Sequence, residues 1–323
     1  MRAVVMRQHG GPEVLQIEEW DDPETKPGDL LVDVVSAGIN FMDVNQRKGL
    51  TPPRIPLPAI LGAEGAGTVV AVGAGVDDFE IGDRVAWCGP RESYATRVAI
   101  PARVAVRVPP AVELPIAAAS ILQGLTAHCL SATSFPVAEG DVAVVHAAAG
   151  GVGLLLTQMV KHRGGIVVAT TSSSAKGEAA RSAGADRVAS YDDFPDVVKE
   201  VSGGEGAAVV YDAVGLATFE ASLGSLRRRG HLVMYGAASG PVPPFDLRRL
   251  SENGSLTITR PALLDFIASR AELLCRTDEL FGWIAEGVLT VTLGGTYLFE
   301  EAGKAHAELE ARRTTGKLLL NAR

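Results

Sequence analysis

Cysteine is scarce in this chain: three in 323 residues, Cys88, Cys129 and Cys275, far apart and without a C-x-x-C pair. That spacing excludes a disulfide framework and a clustered structural metal site, and it suits a reducing cytoplasm, the location expected here. Aromatic residues make up only 5 % of the chain. No long apolar run follows Met1, and the chain opens directly into a strand-like Arg2-Ala3-Val4-Val5. Excess positive charge is missing as well. Thirty Lys and Arg against 38 Asp and Glu give a formal net charge of −8, which argues against general binding to nucleic acid or to an anionic membrane surface. The one window of membrane-spanning length, Val142 to Val160, holds His146 and a glycine cluster, and reads as a buried strand–turn–helix rather than a helix in lipid.

What is present centres on Asp141 to Gly165. Val142–Val145 is an uncharged, β-rich run suited to a strand buried on both faces. A small-residue turn follows, Ala147 to Gly153, and then Leu154–Arg163 reads as a helix stopped by Gly164. Strand, tight turn and helix N-terminus together make a phosphate cradle. Backbone N–H groups and the helix dipole face an anion, and glycine lets a pyrophosphate approach the main chain. Ala148, Gly150 and Gly153 stand at the three positions of G-x-G-x-x-G, with Gly151 and Val152 between them; the first glycine is thus an alanine. Such a turn is equally an ordinary corner in an Ala/Gly-rich chain, and the flanking strands weigh toward the dinucleotide site.

About 20 residues past the turn a dinucleotide fold meets the adenosine ribose. There the chain reads Thr171-Ser172-Ser173-Ser174-Ala175-Lys176, with no acid until Glu178. A carboxylate would repel a 2′-phosphate, whereas hydroxyls and a lysine suit it, so NADPH is favoured as cofactor. The serines serve equally well to cap the next helix.

Residues 1 to 120 read as short strands parted by turn residues, with one helix from Asn40 to Lys48 and a proline-rich loop from Pro52 to Pro58. An Ala-rich helical stretch runs from Leu114 to near Leu130. From Val142 to Thr259 strands and helices alternate, the signature of a doubly wound parallel sheet. The tail, Thr290 to Arg323, returns to short strands around one helix and matches the first segment. The expected fold class is α/β, in two domains. Residues 1–122 and 262–323 form a β-rich barrel domain, and 123–261 form a Rossmann-type domain inserted between them.

Seven motifs then appear in one order: GGPEVL (Gly10–Leu15), AGINFMD (Ala37–Asp43), GAEGAG (Gly62–Gly67), GDRV (Gly82–Val85), HAAAGGVG (His146–Gly153), VVYDAVG (Val209–Gly215) and TRP (Thr259–Pro261). Over essentially the full chain the set resembles the zinc-free quinone oxidoreductase branch, zeta-crystallin-like, of the medium-chain dehydrogenase/reductase superfamily. The resemblance implies a GroES-like first domain, a Rossmann NADPH domain with a cleft between the two, and hydride reduction of quinones. Zinc-dependent members of the superfamily carry a Cys where Asn40 stands, a His at Ala63 and a further Cys near Leu122. With those donors absent, no metal is expected.

Without a Lewis acid, alcohol oxidation is a poor match. A quinone or an α,β-unsaturated carbonyl accepts hydride while hydrogen-bond donors carry the developing charge. By resemblance the candidate catalytic residues are Asn40, Asp43, Thr126 and Arg260. Each also has a plainer reading: Asn40 and Asp43 as a helix cap, Thr126 as a buried helix hydroxyl, Arg260 as a structural ion pair. The resemblance places Ser172, Lys176 and Tyr191 at the 2′-phosphate, and Gly236 and Ser239 along the nicotinamide ribose. It also counts Gly215, after the fourth strand of the sheet, among the cofactor contacts, with an ordinary turn as its plainer reading, and sends Lys317 toward the phosphate, with a solvated face as its plainer reading. Two alternatives stay open: an enoyl-thioester or 2-alkenal reductase, and a non-catalytic NADPH-binding redox sensor or RNA-binding protein. A homodimer is expected through the uncharged edge strand Ser255–Thr259.

Overall fold

The computed structural model describes residues 1–51 and 53–322; Pro52, the head of the expected proline-rich loop, and Arg323 lie outside the described residues. In chain order the elements begin with β1 (Arg2–Met6), β2 (Leu15–Glu19), β3 (Asp29–Ile39), α1 (Phe41–Arg47), β4 (Ala59–Ile60) and β5 (Glu64–Val72). Next come β6 (Arg84–Cys88), β7 (Arg97–Pro101), β8 (Ala105–Arg107) and α2 (Leu114–Cys129). The alternating region follows as β9 (Val142–Val145), α3 (Gly151–His162), β10 (Ile166–Thr170), α4 (Ser174–Ser182), β11 (Arg187–Ala189), α5 (Phe194–Val201) and β12 (Ala207–Asp212). It continues through α6 (Phe219–Gly224), β13 (Leu226–Met234), α7 (Arg248–Glu252), β14 (Thr257–Thr259) and α8 (Leu263–Phe266). The chain closes with α9 (Arg270–Ala285), β15 (Leu293–Leu298), α10 (Ala302–Glu310) and β16 (Lys317–Asn321). By contacts it divides into Met1–Leu122 with Ala268–Glu286 and Val291–Arg323, and Gln123–Ile267 with Gly287–Thr290.

The first unit is built on two sheets, β2-β1-β4 and β15-β16-β3-β5-β6-β8, with β7 also paired to β3. The long strand β3 alternates as its sequence does: Leu30, Val32 and Val34 point into a core with Val69, Val85, Trp87, Val98 and Ile100. β16 runs antiparallel to β3, Leu318 opposite Ile39 and Asn321 opposite Ser36, so the tail joins the same sheet as the N-terminal strands. Strand β7 begins only at Arg97. Just before it, the Tyr94 N–H donates to the Leu61 carbonyl and its carbonyl accepts the Val4 N–H, while Thr96 links the two sheets: its N–H donates to the Arg2 carbonyl at 2.9 Å and its carbonyl accepts the Val34 N–H at 3.0 Å.

The second unit holds a sheet in the order β11-β10-β9-β12-β13-β14, every neighbour parallel. Val142–Val145 is buried at every residue, which is why the run carries no charge and does not alternate. Val144, Val168, Val210 and Leu232 fill one core with Phe194 and Phe219. The order reverses between β9 and β12, a topological switch point, and ligands of such sheets bind beyond the carboxyl ends of the strands there. Among the described residues, the helix long and apolar enough to cross a membrane is not Val142–Val160, which the turn interrupts. It is α2 with its π-helical extension, Leu114–Ser134, and it is 72 % buried within the fold.

Candidate active site

In the second unit the chain leaves β9 through Ala147, whose φ of 51° is unusual for a residue with a side chain. Gly150 caps α3 with φ −76° and ψ 168°, and is exposed. Gly151, Val152 and Gly153 form the first turn of α3, where backbone N–H groups have no partner inside a helix. The two ends of the motif obey different constraints. A Cβ on Gly153 would sit 2.5 Å from the Ala147 carbonyl oxygen and 2.7 Å from the Ala148 Cα, so strand and helix could not pack this closely. A Cβ on Gly150 would meet only the Ala147 oxygen, at 3.3 Å. Packing therefore requires Gly153 but not Gly150. Ala148 is a correction: it is fully buried and its N–H donates to the Thr170 carbonyl at 3.1 Å, so it offers no donor to a phosphate.

At the carboxyl ends of β10 and β11, Ser172 is exposed, while the neighbouring Ser173 caps α4 by accepting the Lys176 N–H at 3.4 Å. Tyr191 follows β11 and its ring lies 5.9 Å from that of His146. His146 itself is fully buried, with Nδ1 2.8 Å from the Thr170 hydroxyl and Nε2 2.9 Å from that of Ser222. Ser222 donates to Asp212, so His146 must be the donor to Ser222, and Thr170 in turn donates to the bare Nδ1. Burial holds the ring neutral, pushing it down to about 4. A core histidine of this kind has no proton to offer a substrate.

Asp212 is a functional anchor that the motif VVYDAVG contains but that sequence reasoning passed over. One carboxylate oxygen accepts the Val214 and Gly215 N–H groups at 2.7 and 2.9 Å; the other accepts Thr218 and Ser222 hydroxyls at 2.7 and 2.9 Å. It fixes the loop after β12, with Gly215 at φ 87°. Ser239 ties that loop to the one after β13: its hydroxyl donates to the Val214 carbonyl and accepts the Ala217 N–H. The Ser239 N–H also donates to the Val214 carbonyl, at 2.8 Å, so both of its polar hydrogens are held between these loops. Gly236 packs against Ala213, and the exposed Arg260 lies beside it, Nη1 3.5 Å from the Gly236 carbonyl. Thr126 lines a cavity of about 240 Å³ with Cys129, Tyr235, Pro261, Leu263 and Phe266, beyond the ends of β13 and β14. Nothing in the sequence marks Phe266 as part of it.

In the first unit, Asn40 caps α1. Asp43 Oδ2 accepts the Asn40 N–H at 2.8 Å and the Tyr94 hydroxyl at 3.1 Å. Tyr94 Oη is 3.2 Å from His306 Nε2, and His306 Nδ1 is 3.2 Å from Arg47 Nη1. Arginine only donates, so Nδ1 is bare, Nε2–H donates to Tyr94, and Tyr94 donates to Asp43. The fully buried Arg47 also pairs with Glu310. Burial pushes Asp43 up to about 6, and burial with Arg47 alongside pushes His306 down to about 3. Asp43 has no exposed surface, so its place is to organise α1 rather than to meet an acceptor.

Lys317 is the second correction. Its side chain is 1 % exposed and its ammonium bonds to Glu64, to Asn40 Oδ1 at 2.9 Å and to the Ile39 carbonyl at 3.0 Å. A cation so enclosed does not reach a cofactor phosphate. Among the described residues no three His, Cys, Asp or Glu side chains cluster as a metal site. A surface concavity of the first unit, about 730 Å³, is lined by residues that include Met1, Arg2, Asp22, Asp33 and Arg97 but neither Asn40 nor Glu64.

One chain holding a parallel sheet of this order and a second, largely antiparallel β unit has the architecture of the medium-chain dehydrogenase/reductases. The profile for zinc-binding dehydrogenases matches residues 151–273, and that for the alcohol dehydrogenase GroES-like domain matches residues 26–110. The chain is 41 % identical to a quinone oxidoreductase of Salmonella typhimurium over 98 % of each protein. It is 39 % identical to the solved Escherichia coli quinone oxidoreductase complexed with NADPH, with a TM-score of 0.96 over 99 % of this chain and 100 % of that one. A mycobacterial protein, also solved with NADPH, is 42 % identical with a TM-score of 0.95, over 99 % and 100 % of the two chains. The chain belongs to the quinone oxidoreductase branch of the medium-chain dehydrogenase/reductase superfamily.

Proposed function

We propose that the chain is an NADPH-dependent reductase that passes hydride to quinones without zinc. The observation that carries this is likeness along the whole chain to quinone oxidoreductases, two of the solved likenesses holding NADPH. The residues fit that cofactor. The turn Gly150–Gly153 opens a helix N-terminus whose Gly150 has room for an anion, and Ser172 and Lys176 stand at the ribose position with no acid among them. NADPH supplies the hydride when bound.

The chain's own part is positioning. Tyr191 follows the 2′-phosphate pocket; Gly215, Gly236 and Ser239 border the nicotinamide end. The candidate donors to the acceptor's developing charge are Asn40 in the first unit and, in the second, Thr126 and Arg260, each taken by itself. Zinc independence is supported by the donor set: Asn40 and Ala63 are not metal ligands, and Glu64 is already paired with an ammonium. A homodimer through β14, which ends its sheet, and a cytoplasmic setting complete the proposal.

The test is loss of reduced-nicotinamide absorbance against ortho- and para-quinones, enones and crotonyl thioesters, before and after chelation. Turnover confined to thioesters, or abolished by chelation and restored by zinc, defeats the reading. Sedimentation giving only monomer defeats the dimer.

A further inference from the structure

Three buried polar side chains in the first unit, Asn40, Glu64 and Lys317, form a closed arrangement. Asn40 Nδ2 donates to Glu64 Oε1 at 2.8 Å, and Lys317 Nζ donates to Asn40 Oδ1 at 2.9 Å. Lys317 also bonds to that same Glu64 oxygen and to the Ile39 carbonyl. The other Glu64 oxygen accepts the Leu122 N–H at 3.0 Å. Gly38 makes the room: a Cβ there would stand 2.4 Å from Glu64 Oε1 and 2.7 Å from the Lys317 Cε.

Two one-way partners decide how the Asn40 amide is turned. An ammonium has only protons to give and a carboxylate only lone pairs, so oxygen must face Lys317 and nitrogen must face Glu64. With a neutral or reversible partner on either side the amide could flip. One Nδ2 proton is thereby fixed on Glu64, and the second makes no hydrogen bond within the described residues although Asn40 is only 9 % exposed. A nearly sealed donor of that sort calls for an external acceptor. Buried ion pairs add little net stability compared with apolar packing, but they do enforce a single arrangement.

We infer that Lys317 and Glu64 are positioning residues that lock the Asn40 carboxamide in the orientation presenting an N–H to the acceptor's oxygen. The inference rests on the quinone reductase reading, because the oxygen it serves is that of the carbonyl receiving hydride. The donor supplies, as an aimed dipole, charge stabilisation that a Lewis acid would otherwise provide.

The test is the double variant K317M/E64Q, which removes both charges together. The glutamine side chain introduced by E64Q keeps an oxygen for the Leu122 N–H, and its NH₂ group then faces Asn40 and favours the flipped amide. Expected is a fall in kcat of about a hundredfold for a para-quinone, with the NADPH dissociation constant changed less than about twofold and Tm close to the parent's. Asn-selective ¹⁵N labelling follows the amide directly, and the Asn40 side-chain protons should exchange faster with solvent in the variant. Parental kcat in a folded double variant overturns the inference. If K317M/E64Q does not fold, Asn40→Asp keeps the lysine pair and the shape but removes the donor; an undiminished kcat there also overturns it. Should the parent reduce no quinone at all, the functional reading fails, while slow exchange of the Asn40 amide still reports whether the lock exists.

Discussion

Gly150→Ala and Gly153→Ala separate binding from packing within one turn. At Gly150 the backbone is ordinary for alanine, φ −76°, and the added methyl meets only the Ala147 oxygen at 3.3 Å. Alanine at a helix N-cap costs up to about 1 kcal/mol, and the stiffer unfolded chain returns about 0.4–1 kcal/mol, so Tm should hardly move. The same methyl stands where a pyrophosphate would approach the backbone. Losing one charge-assisted hydrogen bond costs about 1.5–3 kcal/mol, a rise of about ten- to hundredfold in the NADPH dissociation constant. At Gly153 the methyl would lie 2.5–2.8 Å from Ala147 and Ala148 backbone atoms, which cannot rotate away. That variant should lose about 1–3 kcal/mol of stability whether or not cofactor is present. Nicotinamide fluorescence titration and thermal melts read the two effects. If Gly150→Ala binds NADPH like the parent, the phosphates do not lie on this turn. If it melts as early as Gly153→Ala, the glycine is there for packing alone.

Ala147→Gly should raise stability by about 1 kcal/mol, because a left-handed φ of 51° strains any side-chain-bearing residue; an unchanged or lower denaturation midpoint refutes that. Asp212→Ala removes the acceptor for four donors and should cost about 3–5 kcal/mol, checked by urea unfolding, with weakened NADPH binding because the Gly215 loop loosens. The pH dependence follows from three buried groups. His146 and His306, pushed down to about 4 and 3, favour the folded state above pH 6.5 and lose that contribution as pH falls through those values. Asp43, raised to about 6, acts in the opposite sense: its contribution is full below its unfolded value and disappears as pH climbs through 6. Near pH 5 the unfolded chain holds two histidine protons against one on folded Asp43, so stability should drop by about 1.4 kcal/mol per pH unit on acidification. A flat profile there would mean that the histidines are not held neutral.

Much of the architecture was legible because it rests on local rules. The uncharged run Val142–Val145 reads as a strand covered on both faces, and the small-residue turn after it does open a helix. Strand–helix alternation fixed the parallel sheet, and the missing acid before Glu178 pointed to the phosphorylated cofactor. Other readings required distances between residues far apart in sequence. Lys317 looks like a free cation beside a C-terminal strand until β16 pairs with β3 and carries its ammonium, 253 residues away in sequence, onto Glu64. Ala148 sits correctly in the motif, yet its N–H turns inward to Thr170 because β10 lies alongside. Local sequence therefore determined the elements and the cofactor class, since backbone preference and burial period act over a few residues. Which polar groups face each other depends on strand pairing and chain crossing, and that only the tertiary structure decided.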